Sequence, residues 1–187
     1  QQIYKSEMLG GKKAELLSVA IDVQGSEVVR PYVEKAKTTF ATVVDQENQL
    51  SRSCGFKAVP NGYFLEPDGT ISYVNRGSFD IRLPKILSRT RKWINRSVDP
   101  LEEHPLPGGE EMSPDTAVFF NNGLQLYREG KKKEAIFQWR KIVNLDPDNY
   151  IVRKQIWAIM HPEKFYNDRV DFDWQREQML IETSAEK

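Results

Sequence analysis

A short apolar run near the start of the chain limits the possible folds more than any other feature. Residues 15–23, ELLSVAIDV, are mostly apolar with several β-branched positions, and a run this short favours a strand buried on both faces over a helix. From Ser26 to Thr38 the apolar residues then recur at helical spacing. Residues 40–44 predict a second short strand, which ends at Asp45. The order strand, helix, strand predicts a parallel sheet.

The following segment is expected to contain a β-hairpin between two helices. The runs 62–65 and 71–74 flank Pro67-Asp68-Gly69, and these residue types favour a tight turn between antiparallel strands. A short helix from Glu47 to about Cys54 is predicted before the hairpin. A longer helix from about Asp80 to Arg96 is predicted after it.

The first half of the chain resembles the thioredoxin-like redoxins, particularly the TlpA-type thiol-disulfide oxidoreductases and their peroxiredoxin-like relatives. The matching residues are SVAIDV at 18–23, FATVVDQENQLSRSCGF at 40–56, AVPNGYFLEPDGTI at 58–71 and the Gly77 that follows the hairpin. The resemblance covers residues 1–96. It implies an α/β thioredoxin-like domain that lacks its first strand and the start of its catalytic helix.

The resemblance assigns the substrate groove to Val59, Pro60 and Asn61. In this family the corresponding proline follows a cis peptide bond, and the backbone before it pairs with the substrate. We therefore predict that the bond between Val59 and Pro60 is cis. Asn61-Gly62 stands where the family usually carries small β-branched or hydroxyl residues, and glycine at a strand position weakens the strand and allows close approach of another backbone.

The resemblance also implies that this chain holds no catalytic residue. QQIYKSEM at 1–8 resembles the far end of the catalytic helix, so the catalytic cysteine is expected upstream of Gln1. A strand from that segment, or from another chain, is expected between the strands at 16–23 and 62–66. Cys54 is the single cysteine. We interpret it as an inert buried thiol, with a redox role as the alternative.

Residues 97–115 have the composition of a linker. Between Ser97 and Pro114 lie four prolines, two adjacent glycines and five acidic residues, which is typical of a domain boundary. We therefore divide the chain into a redoxin-like domain, a linker at 97–115 and a helical domain at 116–187.

The helical domain resembles one tetratricopeptide repeat, a 34-residue pair of antiparallel helices. Gly123 and Ala135 are small enough for two helices to approach closely, and Phe119 and Trp139 are expected to fill the space beside them. Asp146-Pro147 is expected to stop the second helix. The residues at the pattern positions are Phe119, Gly123, Leu126, Tyr127, Gly130, Ala135, Trp139, Leu145 and Pro147.

One repeat cannot bury its own face, so the segment from Tyr150 to Met160 is predicted to form a third, capping helix. Residues 168–187 contain a further amphipathic stretch, which is expected to pack back on the rest of the protein. Its predicted apolar side consists of Phe172, Trp174, Met179, Leu180 and Ile181.

Composition and charge exclude several kinds of partner. Lys plus Arg and Asp plus Glu number 27 each, so no long-range field draws nucleic acid to the chain. No apolar run approaches the roughly 18 to 20 residues of a membrane helix, and the mean hydropathy is −0.60. His104 and His161 are far apart and Cys54 stands alone, so we expect no metal site and no cofactor.

The resemblance implies part of a bacterial thiol-disulfide oxidoreductase or peroxiredoxin-like protein, whose partner is a protein thiol or disulfide, or a small peroxide. The alternative is a redox-inert thioredoxin-fold scaffold that binds a partner peptide through its helical domain. The two hypotheses differ in whether a reactive cysteine lies upstream. An extracytoplasmic and a cytoplasmic location both remain open.

Overall fold

The computed structural model describes residues 14–96, 113–167 and 169–185. The predicted linker up to residue 112, His104 and the segment 1–8 lie outside these residues. In the first half the elements are β1 (Leu17–Ile21), α1 (Ser26–Ala36), β2 (Ala41–Asp45), α2 (Gln49–Cys54), β3 (Gly62–Leu65), β4 (Ile71–Asn75) and α3 (Pro84–Ile94). In the second half they are α4 (Pro114–Arg128), α5 (Lys132–Leu145), α6 (Tyr150–Met160), a 3-10 turn (Pro162–Lys164) and α7 (Phe172–Ala185).

The strands β1 and β2 are parallel, as predicted, and α1 connects them. Their register runs from Leu17 opposite Ala41 to Ile21 opposite Asp45. The prediction that β1 is buried on both faces was wrong, because Leu17 is exposed and the rest of the strand is half-buried. Within the described residues β1 has only β2 as a strand neighbour, so its side chains lack the flanking residues that a wider sheet supplies.

The strands β3 and β4 form the predicted antiparallel hairpin. Gly62 lies opposite Asn75, and a register shift follows Phe64. The Phe64 ring packs against the rings of Tyr73 and Trp93, with centroids 4.8 Å away in both cases. Because Trp93 belongs to α3, this helix covers one face of the hairpin.

The two strand pairs are separate sheets in the described part of the chain. β1 and β3 therefore share no ladder of hydrogen bonds. The strand that we expect between them stays a prediction.

The three helices predicted in the second half are present as α4, α5 and α6. Ser113 begins α4 as an N-cap, since its Oγ accepts a hydrogen bond from the N–H of Thr116 at 3.3 Å. Asn149 caps α6 in the same way, accepting from the N–H of Val152 at 3.2 Å. The buried residues of this core are Val23, Phe120, Leu124, Ala135, Trp139, Ile142, Val143, Val152 and Ile156.

The core of the helical half reaches the end of β1, because Val23 belongs to it. A second connection is at Lys57, whose carbonyl oxygen accepts from the N–H of Ile151 at 3.0 Å. The Nζ of Lys57 also lies 2.9 Å from Oδ1 of Asp146. The helical half therefore packs directly on the strand-containing half.

The C-terminal helix α7 packs on the protein with only part of its predicted apolar side. Trp174 and Met179 contact the cluster of Trp157, Ala158 and Phe165. The prediction was wrong for three residues, since Phe172, Leu180 and Ile181 are exposed. The side of α7 that turns to the protein instead includes Gln175, which is buried, and Met179.

Candidate functional site

The loop from Val59 to Asn61 connects α2 to β3, at the position that the resemblance assigns to the substrate groove. The peptide bond between Val59 and Pro60 is cis, as predicted. Val59 is 50% exposed, and Pro60 is exposed as well. The loop therefore presents an uncovered surface next to the hairpin.

Asn61 ties this loop to the turn that follows β4. Its Nδ2 donates to the carbonyl oxygen of Ala58 at 2.7 Å, and its Oδ1 accepts from the N–H of Gly77 at 2.8 Å. The N–H of Phe79 donates to the carbonyl oxygen of Pro60 at 3.2 Å. These hydrogen bonds hold the loop backbone from both sides, so Asn61 positions the loop.

Gly62 is needed for a close contact, but not for the one expected from the sequence. A Cβ at this position would lie 2.2 Å from Cδ2 of Phe79. The space that we assigned to another backbone is therefore filled by an aromatic side chain of this chain. Phe79 was missed because Gly77 indicates a turn after β4 but does not specify which side chain the turn brings against Gly62.

Cys54, at the end of α2, is half-buried, and not fully buried as predicted. The Nη2 of Arg76 donates to its carbonyl oxygen at 2.9 Å, and the Tyr63 hydroxyl lies near its thiol. Burial raises the pKa of Tyr63. The Tyr63 Oη and the Arg76 Nε are both buried and make no hydrogen bond within the described residues. The sequence did not reveal this cluster, because Arg76 and Cys54 are 22 positions apart.

A second polar cluster lies where β1 ends. The Tyr166 hydroxyl donates to Oδ2 of Asp22 at 2.8 Å and accepts from Nε2 of Gln24 at 2.6 Å. Burial raises the pKa of Asp22, and hydrogen bonds from Gln24 and Tyr166 act in the opposite direction. Burial, together with the nearby Asp22 carboxylate, also raises the pKa of Tyr166. This cluster joins β1 to the segment after α6, and sequence reasoning missed it because the partners are 144 positions apart.

Four of the residues singled out in the helical half meet as predicted. A Cβ at Gly123 would lie 2.4 Å from Nε1 of Trp139, so only glycine fits there without movement of the ring. Trp139 and Ala135 are fully buried. The Tyr127 ring lies 6.0 Å from the Trp139 ring, and the Trp139 N–H donates to the carbonyl oxygen of Phe120 at 3.2 Å.

Phe119 lies at the edge of the helical core, and not inside it as predicted. It is half-buried, and the Nζ of Lys141 lies 5.0 Å from its ring centroid. Its neighbour Phe120 is fully buried in its place, because the face of α4 that meets Trp139 is one position further along the helix. Pro147 is exposed just after α5, and its carbonyl oxygen accepts from Nη2 of Arg153 at 3.0 Å.

A cleft of about 290 Å³ lies between α5, α6 and α7. Arg153, which lines it, is only 2% exposed. Its guanidinium forms an ion pair with the Glu182 carboxylate, and the Trp157 N–H donates to Oε1 of Glu182 at 2.7 Å. A carboxylate from α7 thus neutralises a buried cation on α6. The sequence indicated an amphipathic last helix but not this pair.

In residues 14–96, 113–167 and 169–185, no group of three His, Cys, Asp or Glu side chains could hold a metal ion. His161 instead contacts the Trp174 ring, with centroids 5.0 Å apart. Over the same ranges no helix combines the length and the apolar character that crossing a membrane requires.

The described residues build a mixed α and β protein with a parallel strand pair, an antiparallel hairpin and a helical second half. Comparison of the chain with protein-family models, with curated proteins and with solved structures gave no match. The resemblance to redoxins therefore rests on the residues of the chain itself.

Proposed function

We propose that this chain is part of a thiol-disulfide oxidoreductase or a peroxiredoxin-like protein, in which it supplies the surface that holds the substrate. The observation that carries the proposal is the pairing of the strands. Within the described residues β1 pairs only with β2, and β3 only with β4. Within the described residues one edge of β1 and one edge of β3 therefore lack a strand neighbour, and we assign these edges to the strand that leads to the catalytic cysteine in the redoxin arrangement.

The exposed loop from Val59 to Asn61 is proposed as the surface that the substrate contacts. Val59 and Pro60 are uncovered, so an extended peptide can lie against them. Asn61 acts through its hydrogen bonds to Ala58 and Gly77, which fix the loop. Asn61 is therefore a positioning residue.

The chemistry of this class needs a thiolate close to the loop. The thiolate attacks one sulfur of a disulfide substrate, a new S–S bond forms, and the other sulfur leaves as a thiolate. A second thiol then attacks the mixed disulfide and releases the substrate in reduced form. With hydrogen peroxide, the thiolate attacks one oxygen and the O–O bond breaks, so the protein is left as a sulfenic acid. The other oxygen leaves as hydroxide and takes a proton from the solvent to become water.

Cys54 is the sole cysteine of the sequence, and in this proposal it is not the attacking group. It lies at the end of α2, whereas redoxins activate a thiolate at the start of a helix, where the helix dipole favours negative charge. The attacking cysteine is proposed to lie upstream of Gln1.

The decisive experiment uses the natural protein, isolated from its source with an antibody raised against this chain. Its complete sequence is read by mass spectrometry, and its thiol-dependent reduction of a disulfide and of a peroxide is assayed. We expect activity that disappears when an upstream cysteine is replaced by serine. The Cys54→Ser variant is the matched control and should retain that activity.

Two outcomes would overturn the proposal. One is a natural protein with no cysteine other than Cys54, and the other is an upstream cysteine whose replacement changes neither activity. Both outcomes favour the redox-inert scaffold, in which the helical half binds a partner peptide.

A further inference from the structure

The outer face of α5 is apolar and basic. Lys133, Phe137, Lys141 and Leu145 follow one another at intervals of four residues, so they lie along one side of the helix. Phe137 is 61% exposed and Leu145 is 63% exposed. The Nζ of Lys141 lies 4.9 Å from the Phe137 ring centroid, and Glu134 flanks this stripe. We call Lys133, Phe137, Lys141 and Leu145 the α5 stripe.

The outer face of α7 is apolar and acidic. Asp173, Glu177, Leu180 and Ile181 have the spacing of one helix face. Leu180 is 68% exposed and Ile181 is 62% exposed. The other side of α7 carries Gln175, which is buried, and Met179, which packs on the protein. We call Asp173, Glu177, Leu180 and Ile181 the α7 stripe.

Two residues of each stripe match in spacing and in charge. Phe137 and Lys141 are four residues apart, as are Glu177 and Ile181, so both pairs span about 6 Å along their helix at a rise of about 1.5 Å per residue. In the α5 pair the apolar residue, Phe137, comes before the charged one, and in the α7 pair the apolar residue, Ile181, comes after it. If the two helices run antiparallel, Ile181 therefore meets Phe137 while Glu177 meets Lys141.

Exposed apolar faces rimmed by charge mark interaction sites in soluble proteins. Stacks of helical hairpins normally carry polar outer faces at their ends, because an apolar end adds further helices. Here both stripes belong to one chain, so a second copy supplies the complement of each.

We propose that α7 of one copy of this chain docks on α5 of a second copy, head to tail, with Ile181 against Phe137 and Glu177 against Lys141. The contact is independent of the proposed redox chemistry, since neither stripe includes the loop from Val59 to Asn61. A head-to-tail contact of this kind joins two different surfaces, so it generates a closed ring or a longer assembly.

Sedimentation velocity of the full 187-residue chain over a series of concentrations tests the contact. We expect the average mass to rise with concentration. Phe137→Asp and Ile181→Asp should each weaken the association constant about tenfold or more, which equals about 1.4 kcal/mol per factor of ten. Leu83→Asp is the matched control, because Leu83 is 48% exposed at the start of α3 and belongs to neither stripe. Circular dichroism verifies that each variant is folded.

A charge exchange distinguishes this contact from unspecific aggregation. Lys141→Glu and Glu177→Lys each place like charges opposite each other, so each variant alone should associate less than the wild type. Mixed in equal amounts, the two variants restore opposite charges at every contact between unlike copies, and association should return.

Three results would overturn the proposal. They are a wild-type chain that stays monomeric at every concentration, aspartate variants that associate like the wild type, and a mixture of the two charge variants that associates no more than either alone.

Discussion

The side-chain amide of Gln155 hydrogen-bonds the backbone on both sides of one residue at the end of β1. Its Oε1 accepts from the N–H of Val23 at 3.0 Å, and its Nε2 donates to the carbonyl oxygen of Ile21 at 3.1 Å. A residue of a parallel neighbouring strand would make the same two hydrogen bonds. An amide on α6 therefore satisfies the backbone where β1 leaves the sheet, and it ties the helical half to the strands.

Gln155→Leu should lower the free energy of unfolding by about 1 to 3 kcal/mol, because the buried N–H of Val23 would lose its acceptor. Urea titration followed by circular dichroism measures the change. Gln125→Leu serves as the control, since Gln125 is exposed on α4 and substitutions at such sites stay within about ±0.5 kcal/mol. Equal stability of the two variants would contradict the role given to Gln155.

Gly123→Ala should destabilise the chain by about 1 to 3 kcal/mol, as overpacking of a filled core does. The added Cβ would lie 2.4 Å from Nε1 of Trp139, and the ring cannot move freely because its N–H is bonded to the carbonyl oxygen of Phe120. Thermal unfolding and Trp fluorescence report the change. Asn122→Ala, at the exposed neighbouring position, should be nearly neutral. A Gly123→Ala variant as stable as Asn122→Ala would show that the helices can separate easily here.

Glu182→Ala should destabilise the chain strongly, at the lower end of the about 3 to 5 kcal/mol seen when one partner of a buried ion pair is removed. The guanidinium of Arg153 would remain buried without a counterion, while the Glu182 side chain, 30% exposed, already has some access to water. Chemical unfolding of the variant tests this, with Glu34→Ala on the exposed side of α1 as the control.

Replacing both members of this pair should recover part of the lost stability. In Arg153→Met with Glu182→Leu no charge is left buried, and apolar replacements of buried ion pairs are often neutral or stabilising. A double variant less stable than Glu182→Ala alone would show that the loss comes from packing and not from the buried charge.

Asp22→Asn should change how stability depends on pH. Burial raises the pKa of Asp22 above its ordinary value of 3.8, so the folded chain holds this proton to a higher pH than the unfolded chain. The contribution of Asp22 to stability is therefore greatest below 3.8 and falls as pH rises through the raised value. Relative to Asp22→Asn, the wild type should therefore lose stability as the pH rises from 3.8 to the raised pKa of Asp22. Urea unfolding at a series of pH values measures this difference in the free energy of unfolding.

Asp68 provides a control of opposite sign for this experiment. A hydrogen bond from the N–H of Thr70 lowers the pKa of Asp68 below 3.8. The contribution of Asp68 to stability is present above pH 3.8 and is lost as the pH falls through the lowered pKa of the folded chain. If Asp22→Asn and Asp68→Asn shift the pH profile in the same direction, the burial of Asp22 does not control its protonation.

Cys54 should react more slowly with a maleimide in the native chain than in urea. The thiol is half-buried at the end of α2, with the Tyr63 hydroxyl nearby, so the probe has limited access. Mass spectrometry of samples quenched over time gives both rates, and the chain in urea is the internal reference. Equal rates would mean that this end of α2 opens freely.

The sequence by itself determined the local elements. Short β-branched runs, helical spacing and the Asp68-Gly69 turn act over a few residues, so the bounds of α6 and the hairpin strands follow from neighbouring side chains. The close approach of Gly123 and Trp139 was also predictable, because small and large residues alternate within one helical hairpin.

Only the tertiary structure decided which distant groups meet. Gln155 binds the end of β1 from more than a hundred positions away, and Arg153 meets Glu182 across two helices. Which of Phe119 and Phe120 enters the core was decided in the same way, by the rotation of α4 against α5. Periodicity specifies which face of an element is apolar, but the partner of a buried polar group depends on where packing places the other elements.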